Sequence, residues 1–197
     1  MPAAASLSSA PQARVTPGTV GMWVFLGTDA MGFGGLLLAY AMLRVRAASW
    51  PDAESRLNRP LALGLTMLMI ASAATVTAGA AAARAGLCRR ASVLLLATAA
   101  LGVAFLVGQY LEFDGLAHER QVGLAVDHAA SLFYLIAGYH GLHVLVGVVL
   151  LGALTIRGAR AASAAVQVGA LYWQFVDVVW IVIYVLFYLL PSATVAR

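Results

Sequence analysis

The chain has 197 residues, 62% of them hydrophobic and only 10% charged, with a formal net charge of +4 carried entirely by arginine on the basic side. Soluble domains carry about 25% charged residues. A mean hydropathy of +0.90 means more apolar surface than one buried core can hold, so lipid must be the solvent for much of it.

The basic balance does not point to nucleic acid, because no basic stripe with interleaved aromatics is present. The single Cys88 excludes an internal disulfide and a Cys-ligated cluster. Residues 1–18, rich in Ala, Ser and Pro and without an apolar run of signal-peptide length, are predicted to be a flexible tail. Five apolar runs follow, each long enough to cross a bilayer as a helix, at residues 19–44, 61–84, 91–112, 127–156 and 165–190. Pro17, Pro51, Pro60 and Pro191 fall at their ends, where proline suits a helix boundary. Residues 191–197 form a short second tail. The fold class is therefore all-α, a polytopic transmembrane helix bundle forming one domain over residues 19–190. A β-barrel would show short alternating segments, and none is visible.

Span 1 carries Asp29 about 15 Å deep, near the middle of a hydrocarbon core about 30 Å thick. It stands alone in a Gly-rich apolar stretch, so a role beyond packing is expected for it. Small residues at helix-packing spacing occur in span 1 (Ala30 and Gly34, Gly35 and Ala39), span 2 (Thr66, Ser72, Thr75, Thr77) and span 4 (Gly138, Gly141, Gly147, Gly152). Glu112 ends span 3 and opens an acidic boundary with Asp114, Glu119 and Asp127; the cluster reads as a solvated face, with Glu112 itself the candidate exception. His140 and His143, three apart, share one face of span 4. Span 5 carries Gln174 and Asp177. These four residues are expected at comparable depth as a polar intramembrane cluster, with Asp177 hydrogen-bonded by a span 4 histidine or by Gln174. The histidine pair reads as structural rather than redox. Haem ligation would need a facing histidine, and a di-iron site an intramembrane carboxylate cluster. No metal or catalytic residue is expected. Trp50, Tyr172, Trp173 and Tyr184 include candidates for the headgroup region. Glu112, Trp23 and Trp180 are candidates for lipid or interface contact.

Three stretches resemble subunit III of the haem-copper respiratory oxidases, the cytochrome c oxidase subunit III family. Span 1 reads GMWVFLGTDAMGFGGLLLAYAMLR, with Gly21, Trp23, Asp29, Phe33, Gly34, Gly35, Ala39 and Tyr40 in the family's order. Span 4 reads FYLIAGYHGLHVLVG, similar to its Phe/Tyr-His-Gly-Leu-His-Val signature. Span 5 contains Phe-Val-Asp-Val-Val-Trp at residues 175–180, the most specific match. QYLEF at 109–113 and RPLALGLTMLMIAS at 59–72 are weaker echoes, and the resemblance spans nearly everything after residue 20. Two positions depart from it. Asp29 stands where the cytochrome c oxidases commonly have Glu and the related quinol oxidases can have Asp. Gln174 stands where His is common, and it cannot titrate. The length resembles the short five-helix bacterial form.

The resemblance implies a subunit without haem or copper of its own, those cofactors being in partner subunits. It implies subunit I as main contact, subunit II and phospholipid as further partners, and a bacterial plasma membrane location. The implied role is to sustain proton uptake and turnover stability in subunit I. The family's acidic position in span 1 reacts with hydrophobic carbodiimides, which makes Asp29 the candidate for that reaction. Arginines divide equally between the two faces, so the positive-inside rule gives no orientation. The resemblance implies a cytoplasmic N-terminus, a cytoplasmic Cys88 loop, and the His118 loop and C-terminus outside. Alternatives are a quinol oxidase subunit III, an accessory subunit of a nitric oxide reductase, or a stand-alone transporter or haem carrier. The last would be expected to show inverted repeats or helices broken at mid-span, and neither is seen.

Overall fold

The computed structural model describes residues 17–46, 57–118, 128–157 and 163–190. Five helices in them are long and apolar enough to cross a membrane. They are α1 (Pro17–Arg46), α2 (Arg59–Arg84), α3 (Cys88–His118), α4 (His128–Arg157) and α5 (Ser163–Tyr184), and α5 continues into a π-helical turn at Val185–Leu189. No strand occurs among the described residues. The chain is a multi-pass membrane protein.

Local chemistry sets the ends of α2. The Asn58 side chain accepts from the Leu61 N–H at 3.2 Å, and a proline follows in the first turn. This satisfies one of the orphan amides of a helix start. At the other end the Leu87 N–H bonds Ala82 O and the Gly86 N–H bonds Ala83 O. This Schellman pattern needs a left-handed residue, supplied by Gly86 at φ 73°. The turn is so short that α3 must return antiparallel beside α2.

Helices α2, α3, α4 and α5 form a closed ring in which each touches the next and α5 touches α2. Helix α1 lies outside the ring, against α5 and α4. It buries only a narrow seam, Leu26, Phe33 and Tyr40, and leaves Trp23, Val24, Met31 and Leu38 exposed. Its small-residue pairs are not used inside the chain: Ala30, Gly34, Gly35 and Ala39 are exposed, and nothing lies within 4 Å of a Cβ placed on either glycine. The glycines that carry packing are elsewhere. A Cβ on Gly102 of α3 would lie 2.5 Å from Trp173 Cη2, and one on Gly147 of α4 would lie 2.7 Å from Trp173 Cε3. The fully buried Trp173 indole thus fills the centre of the ring because two facing helices give up their side chains to it.

Candidate functional site

Three joints between helices and one enclosed histidine hold the residues singled out in the sequence; Thr75 with Thr98, and Gln109 with the Ala137 carbonyl, add further polar contacts between helices. The first joint ties α1 to α4. Asp29 Oδ1 accepts from Tyr139 OH at 3.2 Å and lies 3.2 Å from His143 Nε2. His143 Nδ1 is 2.8 Å from the Tyr139 carbonyl. A carbonyl can only accept, so Nδ1 carries a proton. The contact between Nε2 and a carboxyl oxygen then needs a further proton between them. Whether that proton rests on the ring or on the carboxyl, the pair is neutral as a unit, which is what hydrocarbon favours. The Phe33 ring covers the joint, with centroids 4.7 Å from Tyr139 and 5.1 Å from His143, and Tyr172 OH donates to the His143 carbonyl at 3.0 Å. Asp29, expected to stand alone, is therefore paired. Its partners lie more than a hundred residues further along the chain.

The second joint is a seam between α2 and α5. Trp173 Nε1 donates to Ser72 Oγ at 2.9 Å, and Ser72 Oγ donates to Asp177 Oδ1 at 3.2 Å, with the Met69 carbonyl also within reach at 2.8 Å. Two turns on, Trp180 Nε1 donates to Thr66 Oγ1 at 3.1 Å. Towards the other end Gln167 donates to the Ala80 carbonyl at 2.8 Å and accepts from Arg84. The expected partners of Asp177 are thus corrected. Its observed partner is Ser72, because Asp177 faces α2, whereas Gln174 lies on the exposed flank of α5 and donates to Thr77 Oγ1 at 3.0 Å.

The third joint closes the opposite end of the bundle. Tyr188 OH donates to Glu112 Oε2 at 2.8 Å. Arg44 reaches Tyr40 OH at 3.1 Å and the carbonyls of Leu186 and Leu190 at 3.4 and 3.2 Å. Its charge thereby meets the negative end of the last helix. Glu112 is the exception to the solvated acidic face: α3 runs on to His118, so Glu112 is inside the helix and buried. Asp114, paired with His118 at 3.0 Å, is exposed, and Glu119 and Asp127 lie outside the described residues.

His140 is fully buried, edge-on to Phe105 at 5.6 Å and inclined over Trp180 at 5.4 Å. Its ring is enclosed by aromatics, and His143 on the same face points to Asp29 instead, so the two do not converge on one point. The intramembrane residues foreseen as one cluster are thus divided among separate environments. Trp180 is also corrected as a lipid or interface contact, and Trp173 and Tyr172 as headgroup candidates. All three are buried, since their polar hydrogens find acceptors only inside the bundle. Trp23 is exposed and Tyr184 half-buried, while Trp50 lies outside the described residues. Among the described residues no group of three or more His, Cys, Asp and Glu side chains is placed to hold a metal. Tyr139 and Tyr188, which complete two joints, had no signal beyond being tyrosines in apolar helices.

The family model for cytochrome c oxidase subunit III matches residues 4–192. The chain belongs to that family. It is 32% identical over 177 residues to cytochrome c oxidase subunit 3 of Thermostichus vulcanus, covering 87% of this chain and 86% of that protein. To the protein of the same name from Synechocystis it is 35% identical over 181 residues, covering 86% and 74% of the two chains. A probable cytochrome c oxidase subunit 3 of Nocardia farcinica is 34% identical over 178 residues, covering 86% of each. In this subunit III chain the resembling spans contribute to the joints: span 1 brings Asp29, span 4 brings Tyr139 and His143, and span 5 brings Trp173, Asp177 and Trp180, the last three meeting Ser72 and Thr66 of α2.

The Asp29 joint makes a graded prediction. Asp29→Ala leaves the Tyr139 hydroxyl and the His143 ring without their acceptor, at a cost of about 1–3 kcal/mol for each stranded group. Asp29→Asn keeps a carbonyl oxygen at Oδ1 and should cost less. Thermal melting of the membrane-embedded chain should therefore rank wild type above Asp29→Asn above Asp29→Ala. Equal midpoints for the last two would contradict the pairing.

Proposed function

We propose that this chain is a non-redox subunit of a haem-copper terminal oxidase that uses cytochrome c as donor. In this reading it packs beside subunit I, with subunit II and phospholipid as further partners, in a bacterial plasma membrane. The haem and copper of the complex are held by the partner subunits. The chain supports oxygen reduction coupled to proton translocation by stabilising subunit I and sustaining its proton uptake. The observation that carries this reading is the use of the family's polar residues. Asp29, His143, Asp177 and the buried tryptophans are engaged in hydrogen bonds between helices, the arrangement of a scaffold. Asp29 remains the candidate for carbodiimide reaction because it stands at the family's acidic position in span 1; a buried carboxyl oxygen without a hydrogen-bond partner is a feature it has in common with Glu112 and Asp177.

The same reading places the N-terminus and the α2–α3 turn in the cytoplasm and the His118 end outside. Cys88 in that turn is an exposed free thiol, and the sequence contains no other. An impermeant maleimide should leave it unlabelled in intact cells and label it in inverted vesicles. Labelling of intact cells would reverse the orientation.

Removing the chain tests the role itself. Oxidase purified from cells lacking it should keep its haem spectrum and its initial oxygen-consumption rate per haem, yet lose activity several-fold sooner during continuous turnover. Loss of a haem or copper signal in proportion to the missing chain would refute the non-redox assignment.

A further inference from the structure

The two ends of the bundle differ in charge in a way that the arginine count conceals. At the end that holds the α2–α3 turn and the end of α4 lie Arg84, Arg89, Arg90 and Arg157, and among the described residues no carboxylate side chain. Among the described residues, Glu112 and Asp114 lie at the opposite end. The first end is therefore an uncompensated cationic rim at a membrane boundary, and such rims attract anionic headgroups.

Within that rim the structure contains a groove of about 560 Å³ lined by Leu87, Cys88, Arg89, Arg90, Val93 and Leu94. Its apolar wall is open, with Leu87 and Val93 half or more exposed. Arg89 and Arg90 are both exposed, and neither has a carboxylate partner among the described residues. Arg84, by contrast, is engaged by Gln167. Two cations in the first turn of α3 also oppose the helix dipole, so they are not there to stabilise the helix. A paired charge above an apolar strip, at the depth where α3 enters the membrane, matches one kind of ligand: an anionic head joined to a hydrocarbon chain.

We propose that the groove at the α2–α3 turn binds an anionic phospholipid, with its phosphate between the guanidinium groups of Arg89 and Arg90 and an acyl chain along Leu87, Val93 and Leu94. Guanidinium suits this role because its planar fork engages a phosphate through two parallel hydrogen bonds. The site is on the outer surface of the ring, beside the turn. It extends the proposed function by giving phospholipid a location, and it rests on that reading only for the identity of the complex.

The test uses the intact oxidase complex in nanodiscs of phosphatidylcholine and phosphatidylglycerol, with retained lipid read by native mass spectrometry. Arg89→Gln/Arg90→Gln should lose a phosphatidylglycerol that the wild type keeps. Arg157→Gln, which removes an exposed charge from the same end but outside the groove, should keep it. Unchanged retention in the double variant would overturn the proposal. Equal loss from Arg157→Gln would also overturn it, because attraction would then be diffuse, and so would retention of phosphatidylcholine to the same extent. Haem content read on the same samples separates these outcomes from a failure of the oxidase reading. If the double variant does not assemble, Arg89→Gln and Arg90→Gln singly carry the same comparison.

Discussion

In hydrocarbon, a polar hydrogen that finds no acceptor in the protein finds none at all, and this constraint shapes the seam between α2 and α5, although the buried ring nitrogens of His140 are left without a partner. The Ser72 hydroxyl is where it acts most strongly. It accepts the Trp173 indole N–H and lies within hydrogen-bond distance of Asp177. One small side chain on α2 thus fixes the rotation of α5 at two positions four residues apart. Gly102 and Gly147 then have to be glycine, because the indole that reaches Ser72 occupies the space their side chains would need. Register, ring closure and glycine placement follow from the same contact.

Helix α1 depends on a different device. It lies outside the ring and buries a seam of three residues, so packing alone holds it weakly. In a membrane there is no hydrophobic drive to press an apolar helix against its neighbours. The Asp29–His143 pair, sharing a proton and neutral as a whole, supplies a directed tie near the middle of the helix, and Arg44 supplies one at its end. The wide apolar face left on α1 is the surface that a partner subunit or lipid must cover in an oxidase complex.

The five helices were legible in the sequence because the length of an apolar run is a strong signal when lipid is the solvent. The joints were legible only as residues, not as pairs. Asp29 looked solitary because its partners Tyr139 and His143 are on another helix. Glu112 looked like a loop boundary because acidic residues and Gly115 follow it, yet α3 runs through them to His118 and buries Glu112 against Tyr188. The α2–α5 seam did leave a pattern. Trp173 and Trp180 are seven apart and Thr66 and Ser72 six apart on helices of opposite direction, so two indole donors and two hydroxyl acceptors can align. Small-residue spacing proved a poor guide: on α1 it marks an open face, and on α4 Gly141 and Gly147 meet neighbouring side chains while Gly138 and Gly152 meet none. Spacing reports which residues share a face, and says nothing of what the face meets.

The seam between α2 and α5 organises the bundle only if Ser72 and Trp173 act as one unit. A double-mutant cycle of Ser72→Ala and Trp173→Phe, read as the melting midpoint of the chain within its oxidase complex, tests this directly. The cycle removes the packing change at Trp173 and isolates the coupling. The predicted result is non-additive: with Trp173→Phe already present, Ser72→Ala should shift the midpoint less than it does in the wild type. The difference should correspond to about 0.6 kcal/mol or more, the usual size for a hydrogen bond between membrane helices. Additive shifts would mean that the indole and the hydroxyl do not hold each other, and the polar seam would lose its place as the organising contact.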